Sequence, residues 1–174
     1  MHIGALIFPT DRTIRPDVLA RELEGRGYES LWVAEHTHIP LSRQTPYPGG
    51  GDLPEMYWRT MDPFVVLSAA ATATERLKVG TGICLVNQHH PINAAKQVAS
   101  IDLLSGGRFL YGVGVGWNVD EMEHHGVDAS KRRSTARERI LATKALWTDE
   151  EASFNGDYVS FSPSASYPLS LIHI

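Results

Sequence analysis

The sequence predicts a parallel α/β fold, and three observations carry that expectation. Apolar strand-like segments alternate with helical patterns along the chain. The strands lack strict apolar/polar alternation, as expected where both faces of a parallel sheet are buried. Two of them stop abruptly in chemically loaded tips, Ser30-Leu31-Trp32-Val33-Ala34-Glu35-His36 and Arg108-Phe109-Leu110-Tyr111-Gly112-Val113-Gly114-Val115-Gly116-Trp117-Asn118. In parallel α/β proteins, sites form at the carboxyl ends of strands.

The elements follow in order. A first strand is expected over 3–8. Pro16, a good first-turn residue, opens a helix that carries Val18, Leu19 and Leu23 on one face, and Gly27 stops it. A second strand covers 30–35. Asp62-Pro63 caps a helix running to Thr74. A third strand covers 77–86. The helix opened by Pro91 repeats Ile92, Ala95, Val98 and Ala99 at helical spacing and ends at Ser105-Gly106-Gly107. A fourth strand covers 108–115, a longer helix 134–148, and a last strand or hairpin 152–161.

Composition excludes several function classes. The 174 residues are 43% hydrophobic and 21% charged, ordinary values for a packed domain. Net charge is −4 with no block of like charges, so a nucleic-acid-binding face has no support. No run of about 18 apolar residues predicts a membrane span. The start, His2-Ile3-Gly4-Ala5-Leu6-Ile7-Phe8, lacks a basic segment and a cleavage site and reads as a strand. A single cysteine, Cys84, excludes an internal disulfide and fits a cytoplasmic protein. Four βα units fit an open doubly wound sheet or the first half of a (β/α)8 barrel; a whole barrel takes about 250 residues.

One segment breaks the spacing. Residues 37–61 separate the second strand from its helix and hold Pro40, Pro46, Pro48, Gly49, Gly50, Gly51 and Pro54. Loops this long are functional or disordered. Tyr47, Tyr57 and Trp58 point to an active-site loop.

These residues carry a resemblance to a known family. The segments Gly27-Tyr28-Glu29-Ser30-Leu31-Trp32-Val33-Ala34-Glu35-His36-Thr37-His38-Ile39-Pro40, Leu77-Lys78-Val79-Gly80-Thr81-Gly82-Ile83 and Pro91 through Gln97-Val98-Ala99 match it. So do Asp102-Leu103-Leu104-Ser105-Gly106-Gly107-Arg108-Phe109, Gly112 through Asn118, Arg137-Glu138-Arg139 and Lys144 through Thr148. In order and spacing the chain resembles the luciferase-like flavin oxidoreductase and monooxygenase superfamily, closest to its deazaflavin (coenzyme F-420) dependent branch. The resemblance implies a (β/α)8 TIM barrel of which roughly the first half is present. It covers about 3 to 168, so 1–168 is expected to be the N-terminal part of one barrel domain. The tail 169–174 matches nothing in the family and reads as a truncated or out-of-frame end. Half a barrel would leave unpaired strand edges and an apolar interior, which makes a homodimer the expected escape.

The resemblance also implies a cofactor: 8-hydroxy-5-deazaflavin, or FMN as the alternative, acting on a small-molecule substrate. Glu35 and His36 then lie beside the reactive ring. His36 is the expected proton-transfer residue, because imidazole exchanges protons near neutral pH. Glu35 is expected to accept a hydrogen bond from the ring or to hold the imidazole tautomer. The family places a non-prolyl cis peptide at the position of Gly82-Ile83, backing the ring. Gly112, Gly114 and Gly116 alternate on one strand face and clear space for a ring or a close-packed element. They are not a dinucleotide fingerprint, because Trp117 stands where a third glycine would be required. Trp117 and Asn118 are expected at the strand tip near substrate. Cys84 reads as a small buried core residue.

Two readings of other classes stand beside this one. His36-x-His38 resembles the His-x-His pair of metal-dependent barrel hydrolases, with His89-His90 and His124-His125 as further imidazoles. Neither adjacent pair easily aims both rings at one point, so no metal ligand is assigned. The third reading is an inactive barrel fragment.

Overall fold

The computed structural model describes residues 1–170; positions 171–174 of the expected tail lie outside the described residues. A parallel sheet of four strands is the centre of the fold: β1 (Gly4–Ile7), β2 (Ser30–Val33), β3 (Lys78–Thr81) and β5 (Phe109–Leu110), paired in that order. Register is regular, with Ile7 opposite Val33 and Val33 opposite Thr81. Two short strands, β4 (Cys84–Leu85) and β6 (Val113–Gly114), pair in parallel beyond the ends of β3 and β5.

Both longer strands expected from the sequence are therefore broken in two. The stretch 77–86 bends at Gly82-Ile83, whose peptide is cis. The stretch 108–115 bends at Tyr111-Gly112. Gly112 sits at this bend because a Cβ there would fall 2.3 Å from the Thr81 carbonyl oxygen. The Cys84 amide donates to the Gly112 carbonyl across the gap, at 2.8 Å.

The helices α1 (Pro16–Gly25), α3 (Pro63–Thr72), α4 (Pro91–Ser105) and α6 (Arg132–Thr148) pack in series, α1 on α3, α3 on α4 and α4 on α6. Leu31, Val33, Val79 and Phe109 from the sheet meet Leu67, Val98 and Leu146 in one core. Trp147 joins it, its indole N–H donating to the Ala95 carbonyl at 3.0 Å. Ile92, expected on the buried face of α4, is 40% exposed; Ala95, Val98 and Ala99 form that face. Asp62 caps α3 as expected, its Oδ1 accepting from the Val65 amide at 2.9 Å. Gly106 closes α4 in the left-handed region, with φ +64°.

The opposite face of the sheet carries Trp32 between Gly4 and Gly80. A Cβ on Gly80 would fall 2.6 Å from the Trp32 ring. Leu6 on this face is 61% exposed. Two short helices, α2 (Met56–Arg59) and α5 (Val119–His124), lie in segments where only loop or strand tip was expected. A hairpin of β7 (Ala152–Asn155) and β8 (Ser160–Ser164) completes the described chain.

Candidate active site

The chain leaves the carboxyl end of β2 through Ala34-Glu35-His36, and both polar residues are buried, at 3% and 8% exposure. Burial of such groups is costly unless each is paired. They are paired, but not with each other. Glu35 Oε1 lies 2.6 Å from His89 Nε2, and Glu35 Oε2 accepts from the Leu85 amide. Glu35 thus ties β2 to the turn that follows β4.

His36 has a different partner. Its Nδ1 lies 2.7 Å from Oε2 of Glu121, which α5 carries into the same corner. Glu121 also accepts the Thr37 amide at 3.1 Å and the Asn118 carboxamide N–H at 3.5 Å. Burial works to raise the Glu121 pKa. The His36 hydrogen bond and charge, the Gln88 side chain and the Thr37 amide outweigh it and hold the carboxyl below its usual value. An ionised carboxylate only accepts hydrogen bonds, so the hydrogen on His36 sits at Nδ1. Nε2 is then the atom free to take or give a proton. This corrects one expectation: Glu121, not Glu35, fixes the imidazole tautomer.

An aromatic wall surrounds His36. Its ring centroid is 4.9 Å from Tyr57 and 5.9 Å from Trp117. Tyr47 packs edge-on to both, at 5.4 Å and 6.0 Å. The long loop therefore folds over the corner. Asp120 at the start of α5 holds it there, accepting from the Gln44 and Thr45 amides, each at 3.0 Å, and from the Thr45 hydroxyl at 2.5 Å. The Thr45 hydroxyl and these two amides hold the Asp120 carboxyl down to about 2. Trp58 stays apart: it is 51% exposed and lines a separate cavity of about 400 Å³ with Ile39, Leu41 and Leu53. A smaller cleft, about 160 Å³, opens onto Glu35 and His36 between Thr37, Thr60 and Pro63.

The glycines act by close packing. The position a Gly114 Cβ would take lies 1.9 Å from Ile83 Cδ1, so Ile83 already occupies that space. Gly116 adopts φ +82°, which breaks the expected strand alternation and turns the chain into Trp117. Ile83 is 40% exposed, and a Cβ on Gly82 would touch Leu6 Cδ1 at 3.1 Å. Leu6, Gly82 and Ile83 thus form a continuous apolar surface next to the polar corner. Trp117 is half-buried, with the Arg43 guanidinium 5.8 Å from its ring. Asn118 is 2% exposed, and its side-chain N–H is turned to Glu121 at 3.5 Å.

The imidazoles of the metal-hydrolase alternative do not gather at one point. His36 faces Glu121, His38 faces His124, and His89 faces Glu35. Glu35, Cys84 and His89 do bring ligand atoms within 4.8 Å of one another. Burial, reinforced by the Glu35 charge, pushes the Cys84 thiol well above its ordinary pKa. Its Sγ contacts the Tyr111 hydroxyl at 3.4 Å, and it sits in the core as expected.

Sequence reasoning missed Glu121, His89 and the lid role of Asp120. One signal was available. Asn118 followed by Glu121 has the Asn-x-x-Glu spacing that opens helices. It would have placed α5, although Glu121 here turns to His36 rather than back to its own helix start.

Comparison with known proteins places this geometry. Residues 17–170 match the model of the luciferase-like monooxygenase family. An uncharacterized protein of Mycobacterium tuberculosis is 46% identical over 171 residues, which are 97% of this chain and 61% of that protein. The F420-dependent glucose-6-phosphate dehydrogenase of Amycolatopsis mediterranei is 29% identical over 146 residues, 81% of this chain and 40% of its own. The crystal structure of monooxygenase RslO1 from Streptomyces bottropensis superposes with a TM-score of 0.80 at 25% identity, over 97% of this chain and 49% of that one. The chain spans about two to three fifths of these proteins' length, and its fold is a partial barrel of the luciferase-like type. On a family match covering most of its length, the chain belongs to the luciferase-like monooxygenase family.

Proposed function

We propose that the protein is a flavin-type oxidoreductase that uses a deazaflavin for hydride transfer to or from a small organic substrate, and that it works in the cytoplasm. The observation that carries this reading is the buried His36–Glu121 pair, set beside the apolar surface of Leu6, Gly82 and Ile83. A planar aromatic ring system fits such a place: an apolar platform beneath it and a proton-exchanging imidazole at its edge. Gly82, Ile83, Gly114, Gly116 and Trp117 would hold the ring, with Glu35 and His36 at its polar edge. When bound, the ring would donate or accept the hydride. Glu121 keeps the hydrogen of His36 on Nδ1, and Nε2 exchanges a proton with substrate. Tyr47, Tyr57 and Trp117 keep water from that proton.

A reduced-FMN monooxygenase is the second reading, supported by the likeness to the monooxygenase RslO1. Equilibrium titration of the complete protein with deazaflavin and with FMN, followed by absorbance, separates the two. Tighter binding of deazaflavin is the expected result. Preference for FMN selects the second reading, and binding of neither removes both.

A further inference from the structure

A second imidazole cluster stands beside the corner, and the proposed reaction does not use it. Its hydrogen positions follow from the Glu121 carboxylate outward. The Gln88 side chain is hydrogen-bonded to Glu121, so its amide N–H₂ is the donor there. That turns Gln88 Oε1 toward Thr37, whose hydroxyl donates to it at 3.2 Å. The only hydrogen of the Thr37 hydroxyl is then committed. His38 Nδ1, at 3.0 Å, and His125 Nε2, at 2.8 Å, must each donate to Thr37 Oγ1. His38 is thereby fixed with its hydrogen on Nδ1 and an accepting lone pair on Nε2. That lone pair accepts the Nδ1 hydrogen of His124 at 2.9 Å, with the two ring planes inclined by 15° to each other.

A neutral imidazole held by a hydrogen bond through one nitrogen, with a lone pair on the other, is the arrangement metal-binding histidines adopt. A second imidazole nitrogen already faces that lone pair, and it becomes a ligand when the neutral His124 carries its hydrogen on Nε2 instead. With zinc–nitrogen bonds of about 2.0–2.1 Å, two ligands on a tetrahedral ion stand roughly 3.3 Å apart. Opening the pair from 2.9 Å takes a few tenths of an ångström together with a turn of the His124 ring that brings both lone pairs onto one ion. His124 can supply it, because it is exposed at the last residue of the short helix α5.

We propose that His38 Nε2 and His124 Nδ1 form a binding site for a borderline divalent transition cation such as Zn²⁺ or Co²⁺, with Thr37 as the residue that orients His38. Imidazole nitrogen suits such ions and not Mg²⁺ or Ca²⁺. The remaining coordination positions are left to water, so the site is a staple and not a hydrolytic centre. It would join the first residues of the long loop to α5, the helix whose Asp120 already holds residues 44 and 45 of that loop.

The test uses the full chain without a polyhistidine tag, titrated with Co²⁺ and followed by its visible absorption. The expected result is one Co²⁺ per chain in the micromolar range, displaced by Zn²⁺ and unaffected by Mg²⁺. His124→Gln should weaken binding by at least about tenfold, and Thr37→Val by about 10–100-fold through loss of orientation alone. Cys84→Ser should change nothing. Circular dichroism confirms that each variant is folded. Absence of Co²⁺ binding, or unchanged affinity in His124→Gln, overturns the proposal. So does a near-ultraviolet thiolate band that Cys84→Ser abolishes, since that places the ion at Glu35, Cys84 and His89.

Discussion

At the amino end of β3, Glu24 accepts the amides of Arg76 and Leu77, each at 2.7 Å, and that of Glu75 at 3.2 Å. At the carboxyl end of β2, Glu121 accepts the Thr37 amide at 3.1 Å and the His36 imidazole at 2.7 Å. Both are carboxylates pinning loops, and burial opposes ionisation of both. In Glu24 the three amides outweigh burial and hold the pKa below its usual value. In Glu121 an imidazole leads the groups that outweigh it. Arg108 extends the contrast. At the amino end of β5 its guanidinium donates to the carbonyls of Leu77, Ala71 and Thr74 at 2.6, 2.8 and 3.0 Å. Glu24 and Arg108 at the amino ends are satisfied mainly by backbone, which cannot titrate. Glu35 and Glu121 at the carboxyl ends each face an imidazole, which can. The Glu24 and Arg108 contacts hold shape, and under the proposed function the Glu35 and Glu121 corner is where protons move, at the strand ends where barrels carry their sites.

That division can be broken experimentally. The largest effect should come from His36→Ala in the complete enzyme: turnover falls by about 10²–10⁴, the range for losing a general acid or base. The variant also strands the buried Glu121 carboxylate, so its melting temperature should fall, and turnover is read below that temperature on protein shown to be folded by circular dichroism. Unchanged turnover would remove His36 from the chemistry. Arg108→Met should do the reverse, costing roughly 2–3 kcal/mol of stability in denaturant unfolding, because buried carbonyls lose a charged donor. Its turnover at a permissive temperature should stay within about twofold of the parent, since stability lost at a site remote from the chemistry leaves the barrier intact. A large loss of activity in a folded Arg108→Met protein would contradict the division.

The third effect is smaller and depends on pH. Asp120 has a folded pKa of about 2 against an ordinary 3.8. A carboxyl depressed by folding contributes stability that is complete above its unfolded pKa and is lost as pH falls through the folded one. The loop should therefore loosen between about pH 4 and pH 2, reported by fluorescence of Trp117 against Tyr47 and Tyr57. Asp120→Asn should show the loosened signal already at neutral pH and lose the acid step; a retained step would assign it elsewhere. The smallest effect concerns Tyr57. Burial first, then the hydrogen bond to Tyr47, push its hydroxyl up to about 12. The raised value means stability present below pH 10 is lost as pH rises toward 12. Tyr57→Phe should remove only that alkaline limb of the melting curve.

Much of this was legible in the sequence. Pro16, Asp62-Pro63, Pro91 and Ser105-Gly106-Gly107 act through local backbone rules, and the helices begin and end where those rules place them. The tips at His36 and Trp117 lie in one corner, and the resemblance correctly implied the cis peptide at Gly82-Ile83. The broken strands were not legible, because the bends arise where backbone meets backbone, as at Gly112 and the Thr81 carbonyl. Nor were the partners of the buried charges. Glu35 and His36 are adjacent in sequence and look like a pair, yet each turns to a residue 54 or 85 positions away. Such choices depend on which loops converge, which is set by tertiary packing and not by spacing.

A crystal structure of the complete protein with deazaflavin bound tests the proposed site most directly. The account predicts the ring against Leu6, Gly82 and Ile83, its edge toward His36 Nε2 and Trp117, and the His36–Glu121 bond intact. A ring bound away from that surface, or a His36 released from Glu121 with Nε2 turned from the ring, would contradict it.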